Sequence, residues 1–342
     1  MKSLKEDYFN PFFSHIYVES EIKDHPRTQK LLAKFPAAEV VEINHYKDVF
    51  CRSRQSYTLQ HRSQKLILAA KKGTLLYEGA PVCQSFGNEY FYYTSCMMNC
   101  IFDCEYCYLK GMYPSANLVI FVNLEDYFSE LDAFLAHKSM YLCVSYDADL
   151  LAMEPLVGYA KLWSDYATLH ENLKLEIRTK SARLAMWEEL PCLSNVIYAF
   201  TLSPQKMIDA CERGTPSAKA RIACALAGLE KEFPVRLCFD PMLYLPTWRE
   251  DYGELLSELD AAFAGHDLTM QKLTDVSVGT FRISQDYMKK LRRALPTASA
   301  VQFPYVNVGG VYQYPPRLLK EMEEYLIEEL AKRIDKEKIY HE

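Results

Sequence analysis

YTSCMMNCIFDCEYCYL, residues 93–109, is the most informative stretch of this sequence. It holds Cys100, Cys104 and Cys107 in the spacing C-x3-C-x2-C. Cysteine thiolates are the usual ligands of iron–sulfur clusters, and a single loop can fold three of them around a cube. Because three thiolates leave one iron of a [4Fe–4S] cluster without a protein ligand, a small chelating molecule can bind there. The spacing therefore predicts a [4Fe–4S] site that is open to a second cofactor.

Two other interpretations compete for these cysteines. A zinc site needs four tetrahedral ligands, and Cys96 is the available fourth cysteine. C-x3-C-x3-C-x2-C is not a usual zinc spacing, so Cys96 is expected to be a buried residue at the end of a strand instead. The other interpretation is that these are unrelated structural cysteines. It does not explain why four of the eleven cysteines fall between Cys96 and Cys107.

From Glu89 onward, apolar runs alternate with segments of helical period. The predicted strands are Tyr90–Thr94, Leu118–Val122, Tyr141–Ser145, Lys174–Arg178, Val196–Leu202, Val235–Phe239 and Val276–Phe281. The predicted helices are Leu124–Ala136, Pro155–Leu169, Arg183–Glu189, Ser217–Glu232, Tyr252–Phe263, Gln285–Ala294 and Leu318–Ile334. Strands that alternate with long helices indicate parallel βα units, whose sites lie at the carboxyl ends of the strands.

The predicted fold class is α/β, a partial (β/α)6-type TIM barrel with N-terminal and C-terminal helical additions. Residues 1–88 are expected to form a mixed extension packed on the barrel, irregular apart from helical patches at Arg27–Phe35 and Ser63–Lys72. The barrel is predicted for residues 89–295. An aromatic hairpin and a C-terminal helix are predicted for residues 296–342.

Composition limits the possible functions. The chain has 49% hydrophobic residues and a net charge of -6, which is enough apolar material for a core and offers no overall attraction to nucleic acid. No apolar run approaches the length of a membrane span, and the N-terminus has no signal-peptide pattern. We expect a soluble, cytoplasmic protein that does not bind membranes. Arg178, Lys180 and Arg183 lie close together, which allows a local basic groove, although a solvated charged face is the expected arrangement.

With these features the sequence resembles the radical S-adenosylmethionine (SAM) superfamily and, within it, the spore photoproduct lyase family. The family has the same three cysteines followed by Tyr-Leu, with a tyrosine on each side of the third cysteine, as in Tyr106-Cys107-Tyr108-Leu109. The resemblance extends from about Ser56 to Ile334. It includes Thr179-Lys180, the strand Ala199–Ser203, Glu212–Thr215, Asp240-Pro241 before Trp248, and the aromatic stretch Tyr305–Tyr314.

The resemblance implies a barrel of the radical SAM kind and a DNA-repair lyase. SAM would fill the open iron position, and its reductive cleavage would give a 5′-deoxyadenosyl radical that takes a hydrogen from a methylene-bridged thymine dimer. The implied partners are DNA containing this lesion and an external one-electron reductant such as flavodoxin or ferredoxin. The residues assigned to SAM binding are Lys180, Thr201, Ser145, Tyr108 and Asp240. Tyr106 and Tyr108 match the family's radical-relay tyrosines, although packing aromatics remain the alternative.

The family's hydrogen-donor cysteine can be aligned in two ways. Cys143-Val144-Ser145 reproduces its Cys-x-Ser pattern but requires an insertion before Glu154. The ungapped alignment puts Tyr146 at the donor position instead. Cys143 is therefore the predicted catalytic donor only if its side chain points into the barrel; otherwise it is a packing residue. Capping or packing roles are expected for Asp147, Asp149 and Glu154.

Three functions are therefore considered. The first is spore photoproduct repair, which would be helped by a local basic groove. The residues expected to form that groove are Lys206, Arg213, Lys219, Arg221, Arg236, Trp248, Arg249, Tyr305 and Tyr312. The second is a lyase-like radical SAM enzyme acting on a substrate other than DNA, which the acidic net charge favours. The third is a non-enzymatic zinc or iron–sulfur module with Cys96 as the fourth ligand.

Overall fold

A computed structural model describes residues 13–80, 83–295 and 299–341. Its strands are β1 (His15–Glu19), β2 (Glu39–Ile43), β3 (Leu66–Ala69), β4 (Leu76–Glu78), β5 (Phe91–Thr94), β6 (Met97–Met98), β7 (Asp103–Cys104), β8 (Leu118–Phe121), β9 (Met140–Cys143), β10 (Leu173–Thr179), β11 (Val196–Thr201), β12 (Glu212–Arg213), β13 (Val235–Met242), β14 (Asp275–Thr280), β15 (Arg282–Ser284), β16 (Val306–Val308), β17 (Val311–Gln313) and β18 (Ile339–His341). Its helices are α1 (Pro26–Leu32), α2 (Lys47–Phe50), α3 (Tyr57–His61), α4 (Leu109–Met112), α5 (Leu124–Leu135), α6 (Leu150–Val157), α7 (Tyr159–Ala167), α8 (Met186–Glu189), α9 (Gln205–Cys211), α10 (Ala218–Glu230), α11 (Trp248–Gly265), α12 (Gln285–Ala294) and α13 (Pro316–Leu330).

The central sheet follows chain order. Its strands β5, β9, β10, β11, β13 and β14 are neighbours in that sequence and run parallel. Every residue of β11 is buried, as expected for a parallel strand that is covered on both faces. At one edge β4 pairs antiparallel with β5, and at the other edge β18 pairs parallel with β14. The mixed α/β fold is confirmed, with the strand succession of a βα series.

The segment after β4 packs on the central sheet. Gln84 donates a hydrogen bond from Nε2 to the carbonyl oxygen of His341 in β18, at 3.0 Å. The ring of Phe86 packs against Tyr340 of β18 and Tyr141 of β9, with centroid distances of 5.1 and 5.9 Å.

A second sheet carries most of the N-terminal region, in the order β2-β1-β3-β8-β6. One sequence prediction is wrong here, and one strand is confirmed in a different sheet. The helical patch at Ser63–Lys72 contains strand β3, since a short apolar run such as LILA fits a buried strand as well as a helix. The predicted strand Leu118–Val122 exists as β8, but it pairs with β3 rather than joining the central sheet. Local hydrophobic pattern does not encode which strand becomes the neighbour.

The helix predicted over Pro155–Leu169 is two helices, α6 and α7. Gly158 separates them with a φ of 67°, a left-handed conformation that ends a helix and that glycine adopts without steric cost. The prediction for Gln285–Ala294 is confirmed by α12. The C-terminal helix is also confirmed, as α13, which buries Met322, Leu326 and Leu330 against the rest of the chain. No helix in the described ranges is long and apolar enough to cross a membrane.

Glu125, in the first turn of α5, forms hydrogen bonds with residues of the N-terminal region. Its carboxylate accepts hydrogen bonds from His25 Nε2 at 2.8 Å and from Arg27 Nη1 at 2.5 Å. Burial opposes the charge, but these two hydrogen bonds prevail and lower the pKa of Glu125 to about 2. An acidic side chain in the first turn of a helix is also favoured by the helix dipole.

Glu125→Gln is therefore expected to reduce stability at about pH 6 and to have little effect near pH 2. A depressed carboxyl pKa contributes stability above the unfolded-state pKa of about 4.3, and this contribution disappears as the pH falls through the folded-state value. Because the Glu125 side chain is 54% exposed, the effect at pH 6 should not exceed about 1 kcal/mol. Urea unfolding at both pH values measures it, with the exposed Glu130→Gln on the same helix as control. A Glu125→Gln effect of equal size at both pH values would contradict this assignment.

Candidate active site

The carboxyl ends of the central strands surround a cavity of about 560 Å³. All ten residues assigned to the site from the sequence line this cavity. They are Cys100, Cys104, Cys107, Tyr106, Tyr108, Cys143, Ser145, Lys180, Thr201 and Asp240. The topology explains this convergence, because parallel neighbouring strands bring their carboxyl ends to one edge of the sheet.

The cysteine loop is held by backbone pairing within it and by a hydrogen-bonded side chain before it. β7, which contains Cys104, pairs antiparallel with β12. Before it, Asn99 has a φ of 69° and donates from Nδ2 to the carbonyl oxygens of Ser115 and Asn117, both at 2.8 Å. Asparagine is among the residues that tolerate this left-handed conformation, so it can turn the chain from β6 into the loop.

Cys96 lies apart from the other three cysteines of the segment. It is 1% exposed in the core, its Sγ is 4.0 Å from the carbonyl oxygen of Val144, and it does not line the cavity. The expectation of a buried residue is confirmed. Within the described part of the chain no three His, Cys, Asp or Glu side chains converge as ligands of one metal ion. The fit to a cluster therefore rests on the three cavity-lining thiols and their neighbours.

Lys180 brings a cation to the same end of the cavity. Its ammonium group lies 5.5 Å from the ring centre of Tyr106. Burial acts to lower the pKa of Lys180, but the nearby charges of Glu212, Cys104 and Cys107 together outweigh it and the pKa is raised, so Lys180 is a cation at neutral pH. Glu212 is held in turn by hydrogen bonds from Tyr106 and Arg221 and by one from Ser203 at 3.1 Å.

Tyr108 and Tyr146 form an aromatic wall beside the cysteine loop. Tyr108 donates its hydroxyl hydrogen to the Tyr146 carbonyl oxygen at 2.6 Å, and the two rings are 5.9 Å apart. The Tyr146 ring stacks on Tyr93 at 4.1 Å, and its hydroxyl lies 3.7 Å from Cys83 Sγ. A row of rings thus connects the loop to Tyr93, which is the β5 pairing partner of Cys143.

Cys143 is the last residue of β9 and lines the cavity. Tyr141, two residues earlier and therefore on the same face, lines it as well. The inward orientation on which a donor role depends is thus present. Tyr146 also lines the cavity, so each alignment of this strand brings its candidate to the site.

The three acidic residues near this strand have structural partners, as expected. Asp149 caps α6 by accepting from the Ala152 amide at 3.0 Å, and it also accepts from the Lys180 amide at 2.7 Å. Asp147 accepts from the Tyr113 hydroxyl at 2.9 Å. Glu154 accepts from the first backbone amides of α7, with 2.6 Å to Ala160 N. Burial raises the pKa of each of the three carboxyls.

Four of the nine residues predicted to form the basic groove are buried instead. Arg221 and Arg236 are 0% exposed and pair with buried carboxylates, while Trp248 and Tyr305 belong to the core. A guanidinium group can stay charged in the interior when its donors reach carboxylates, and the sequence does not show such pairing in advance. Lys206, Arg213, Lys219 and Arg249 are exposed.

The expectation of a solvated face at Arg178, Lys180 and Arg183 is also wrong. Arg178 and Lys180 line the cavity. The side chain of Arg183 is only 12% exposed and pairs with Glu189 at 2.5 Å. This stretch therefore contributes charge to the interior of the site rather than to a surface.

Glu176 and Cys83 also line the cavity, but they were not among the site residues predicted from the sequence. A signal for Glu176 was present. The segment KLEIRTK, residues 174–180, carries a charged residue at every second position. Because side chains alternate between the two faces of a strand, this period places Glu176, Arg178 and Lys180 on one polar face. No comparable pattern surrounds Cys83.

Comparison with known proteins agrees with this architecture. The family model described as spore photoproduct lyase matches residues 9–297. A search among curated proteins finds no match. The solved structure of a spore photoproduct lyase mutant with bound AdoMet and dinucleoside spore photoproduct superposes with a TM-score of 0.81 at 17% identity, covering 96% of this chain and 98% of its own. Spore photoproduct lyase complexed with dinucleoside spore photoproduct gives 0.80 at 17% identity, covering 97% and 98%.

At this level of identity the solved structures establish a shared fold. The family model spans most of the sequence, including the cysteine loop and all the cavity-lining strands. The chain therefore belongs to the spore photoproduct lyase family.

Proposed function

We propose that this chain is a radical SAM lyase that repairs the spore photoproduct, the methylene-bridged thymine dimer of DNA. The central sheet would form a partial barrel of six βα units, with the cavity at the carboxyl ends of its strands. The observation that carries the proposal is the convergence of the three spaced cysteines, Lys180 and Cys143 on one cavity. Each of these residues was assigned from the sequence alone.

The donor set fits a [4Fe–4S] cluster with SAM. Cys100, Cys104 and Cys107 would bind three irons and leave the fourth to the amino and carboxylate groups of SAM. Lys180 is a compact cation suited to that carboxylate, and Thr201, Ser145 and Asp240 add polar atoms along the same rim. When bound and supplied with an electron by an external reductant, the pair provides the 5′-deoxyadenosyl radical that takes a hydrogen from the lesion.

Cys143 would return a hydrogen atom from its thiol to the thymine radical after the bridging bond breaks. The S–H bond is broken, a C–H bond forms, and the sulfur is left as a thiyl radical. Tyrosine hydroxyls can restore the hydrogen, and the ring series Tyr108, Tyr146 and Tyr93 runs towards Cys143. Tyr106 is tied to Glu212 through its hydroxyl and packs at 6.2 Å from Phe281, so its share in this relay would be smaller.

A lyase-like radical SAM enzyme with a substrate other than DNA is the second candidate. The buried positions of Arg221 and Arg236 favour it, because they remove two cations from the expected groove on a chain of net charge -6. The zinc-module hypothesis has no comparable support, since Cys96 lies in the core away from the other cysteines.

An anaerobic assay with dinucleoside spore photoproduct tests the proposal. After cluster reconstitution, dithionite and SAM are added, and repaired dinucleotide and 5′-deoxyadenosine are quantified by chromatography. The wild type is expected to release both. Cys143→Ala should still form 5′-deoxyadenosine but should divert most of the lesion into products other than the repaired dinucleotide, because the hydrogen donor is absent. Cys224→Ala, a buried cysteine that does not line the cavity, is the matched control.

The outcomes separate the candidates. SAM cleavage without any repaired dinucleotide in the wild type would favour the second candidate. Clean repair by Cys143→Ala would remove Cys143 from the donor role. Absence of both a cluster and SAM cleavage would refute the radical SAM assignment.

A further inference from the structure

Glu176 is a carboxylate buried directly behind Cys143. It occupies the middle of β10, opposite Cys143 of β9 in the strand register, and is 3% exposed. Its Oε1 atom lies 3.8 Å from Cys143 Sγ and accepts a hydrogen bond from Arg178 Nε at 3.2 Å. Its Oε2 atom accepts from the Tyr141 hydroxyl at 2.5 Å and from Arg236 Nη1. Both oxygens are therefore fully used by donors.

This arrangement keeps Glu176 ionised. Burial opposes its charge, but Arg178 and Arg236 prevail and lower the pKa of the carboxyl. Arg236 is itself neutralised on its other side by Asp275, which accepts from its Nη2 at 2.8 Å. Glu176 is therefore a fixed negative charge in the protein interior. Because the dielectric constant is low there, such a charge interacts strongly with neighbouring groups.

A hydrogen-atom donor must carry its hydrogen. A thiolate has no hydrogen to give, so a donor cysteine needs a high thiol pKa. A nucleophilic cysteine needs the opposite, a thiol pKa that is lowered by adjacent cations. Burial and the charge of Glu176 both raise the pKa of Cys143, while Arg178 acts in the other direction. Because S–H is a weak hydrogen-bond donor, the contact with Oε1 costs little to break when the hydrogen is needed in the cavity.

The groups around Cys143 come from several elements. Glu176 and Arg178 face it from β10, and Cys83 approaches from the segment after β4. Tyr93 is its pairing partner in β5, and Tyr141 precedes it on its own strand face. Among the carboxylates of the described residues, Glu176 is the one with a hydrogen-bond contact to the sulfur.

We propose that Glu176 is a positioning residue that keeps Cys143 as a protonated thiol at the cavity wall, ready to give a hydrogen atom. The inference rests on the proposed function, in which Cys143 is the donor. It adds no step to the reaction, since Glu176 neither gains nor loses a proton during the hydrogen transfer. Its role is confined to the protonation state of the sulfur before transfer and after the thiyl radical has regained its hydrogen.

The test is the pH dependence of Cys143 alkylation by iodoacetamide in the reconstituted enzyme, read by peptide mass spectrometry. The thiolate is the reactive form, so each unit by which the thiol pKa falls raises the rate roughly tenfold at a pH below that pKa. Glu176→Gln is expected to alkylate Cys143 at least about ten times faster than the wild type near pH 8. The exposed Cys51 in the same samples serves as the internal standard for the reagent.

Two further variants control for damage to the ion pairs among Glu176, Arg178, Arg236 and Asp275. Asp275→Asn also disturbs Arg236 but leaves the contact between Glu176 and Cys143 in place, so its Cys143 rate should stay within about twofold of the wild type. Arg178→Gln removes the opposing cation and should slow alkylation several-fold. This second variant keeps the test valid if Glu176→Gln does not fold, which circular dichroism would reveal. Equal rates in Glu176→Gln and wild type, an equal rise in Asp275→Asn, or faster alkylation in Arg178→Gln would overturn the proposal.

A separate assay of the repair products connects the protonation state of Cys143 to catalysis. Glu176→Gln should form 5′-deoxyadenosine yet lose repaired dinucleotide at a lower pH than the wild type does, and it should recover repair as the pH is lowered and the thiol is protonated. A merely structural defect would lower yield at all pH values. If no lesion is repaired by the wild type, the proposed function fails while the alkylation result still decides the role of Glu176 towards the thiol.

Discussion

Cys104→Ala is expected to abolish SAM cleavage. Metal affinity falls about 10- to 100-fold when only a neighbour of a ligand is changed, so loss of one of three ligands should lower cluster occupancy and 5′-deoxyadenosine formation by more than about 100-fold. Cys104 is suited to this test because backbone pairing of β7 with β12 fixes its position. The variant should therefore keep its fold while losing its iron. Iron and sulfide content per chain after anaerobic reconstitution, together with the cluster's visible absorption, measure the effect.

Cys96→Ala is the matched control. It removes a cysteine from the same segment, but one that lies in the core and does not line the cavity. It should bind iron like the wild type and cleave SAM at a similar rate, with a small loss of stability from the missing sulfur. Equal loss of iron in both variants would restore the hypothesis of a four-cysteine site. Full iron content in Cys104→Ala would remove this residue from the ligand set.

Arg221→Met is expected to lower the free energy of unfolding by about 3–5 kcal/mol. The side chains of Arg221 and Glu212 are both 0% exposed and form an ion pair. Arg221 also donates from Nη1 to the Thr201 carbonyl oxygen at 3.1 Å and from Nη2 to the Thr215 hydroxyl at 2.7 Å. Removing the guanidinium leaves a buried carboxylate short of a partner, which costs far more than the pair itself contributes.

The exposed Arg213→Met, eight residues earlier in the chain, is the comparison. Arg213 is 66% exposed and pairs loosely with Glu105 at 3.3 Å, so its loss should cost less than about 1 kcal/mol. Urea unfolding of the two variants and the wild type measures both values. A double variant, Arg221→Met with Glu212→Gln, should recover part of the loss, because the stranded charge is then removed as well. Equal effects at positions 213 and 221 would contradict the buried ion pair.

Glu212 also connects this stability to the site. Burial opposes its charge, yet Lys180 and Arg221 together lower the pKa of the carboxyl. Glu212 in turn holds the Tyr106 hydroxyl. The Arg221→Met variant should consequently disturb the position of Lys180 and Tyr106 at the cavity wall, and SAM binding is expected to weaken along with the fold.

Some of the site could be predicted from sequence because it is local. Cys100, Cys104 and Cys107 lie on one loop, so their spacing alone limits how their thiols can be arranged. The central strands could also be predicted, since runs such as Val196–Thr201 are rich in apolar, aromatic and β-branched residues and are bounded by segments of helical period. Parallel order then brings the polar strand ends together without further information.

Which segments of the chain pair with each other in the fold could not be predicted from the sequence. The strand β8 was found in the sequence, yet its pairing with β3 rather than with the central sheet depends on contacts between residues far apart in the chain. Arg221 and Arg236 look like surface cations in the sequence, and only the buried carboxylates of Glu212 and Glu176, which lie in other secondary-structure elements, explain their burial.

The sequence by itself determined the cysteine loop and the βα succession, because these depend on spacing and period along the chain, while resemblance to the family supplied the other side chains assigned to the cavity. Only the tertiary structure decided that Cys143 faces inward against Glu176 and that the arginines pair inside rather than form a groove. These outcomes depend on which buried donor meets which acceptor. That choice is made by the requirement that interior charges be neutralised, and the sequence pattern does not show which charged residues meet.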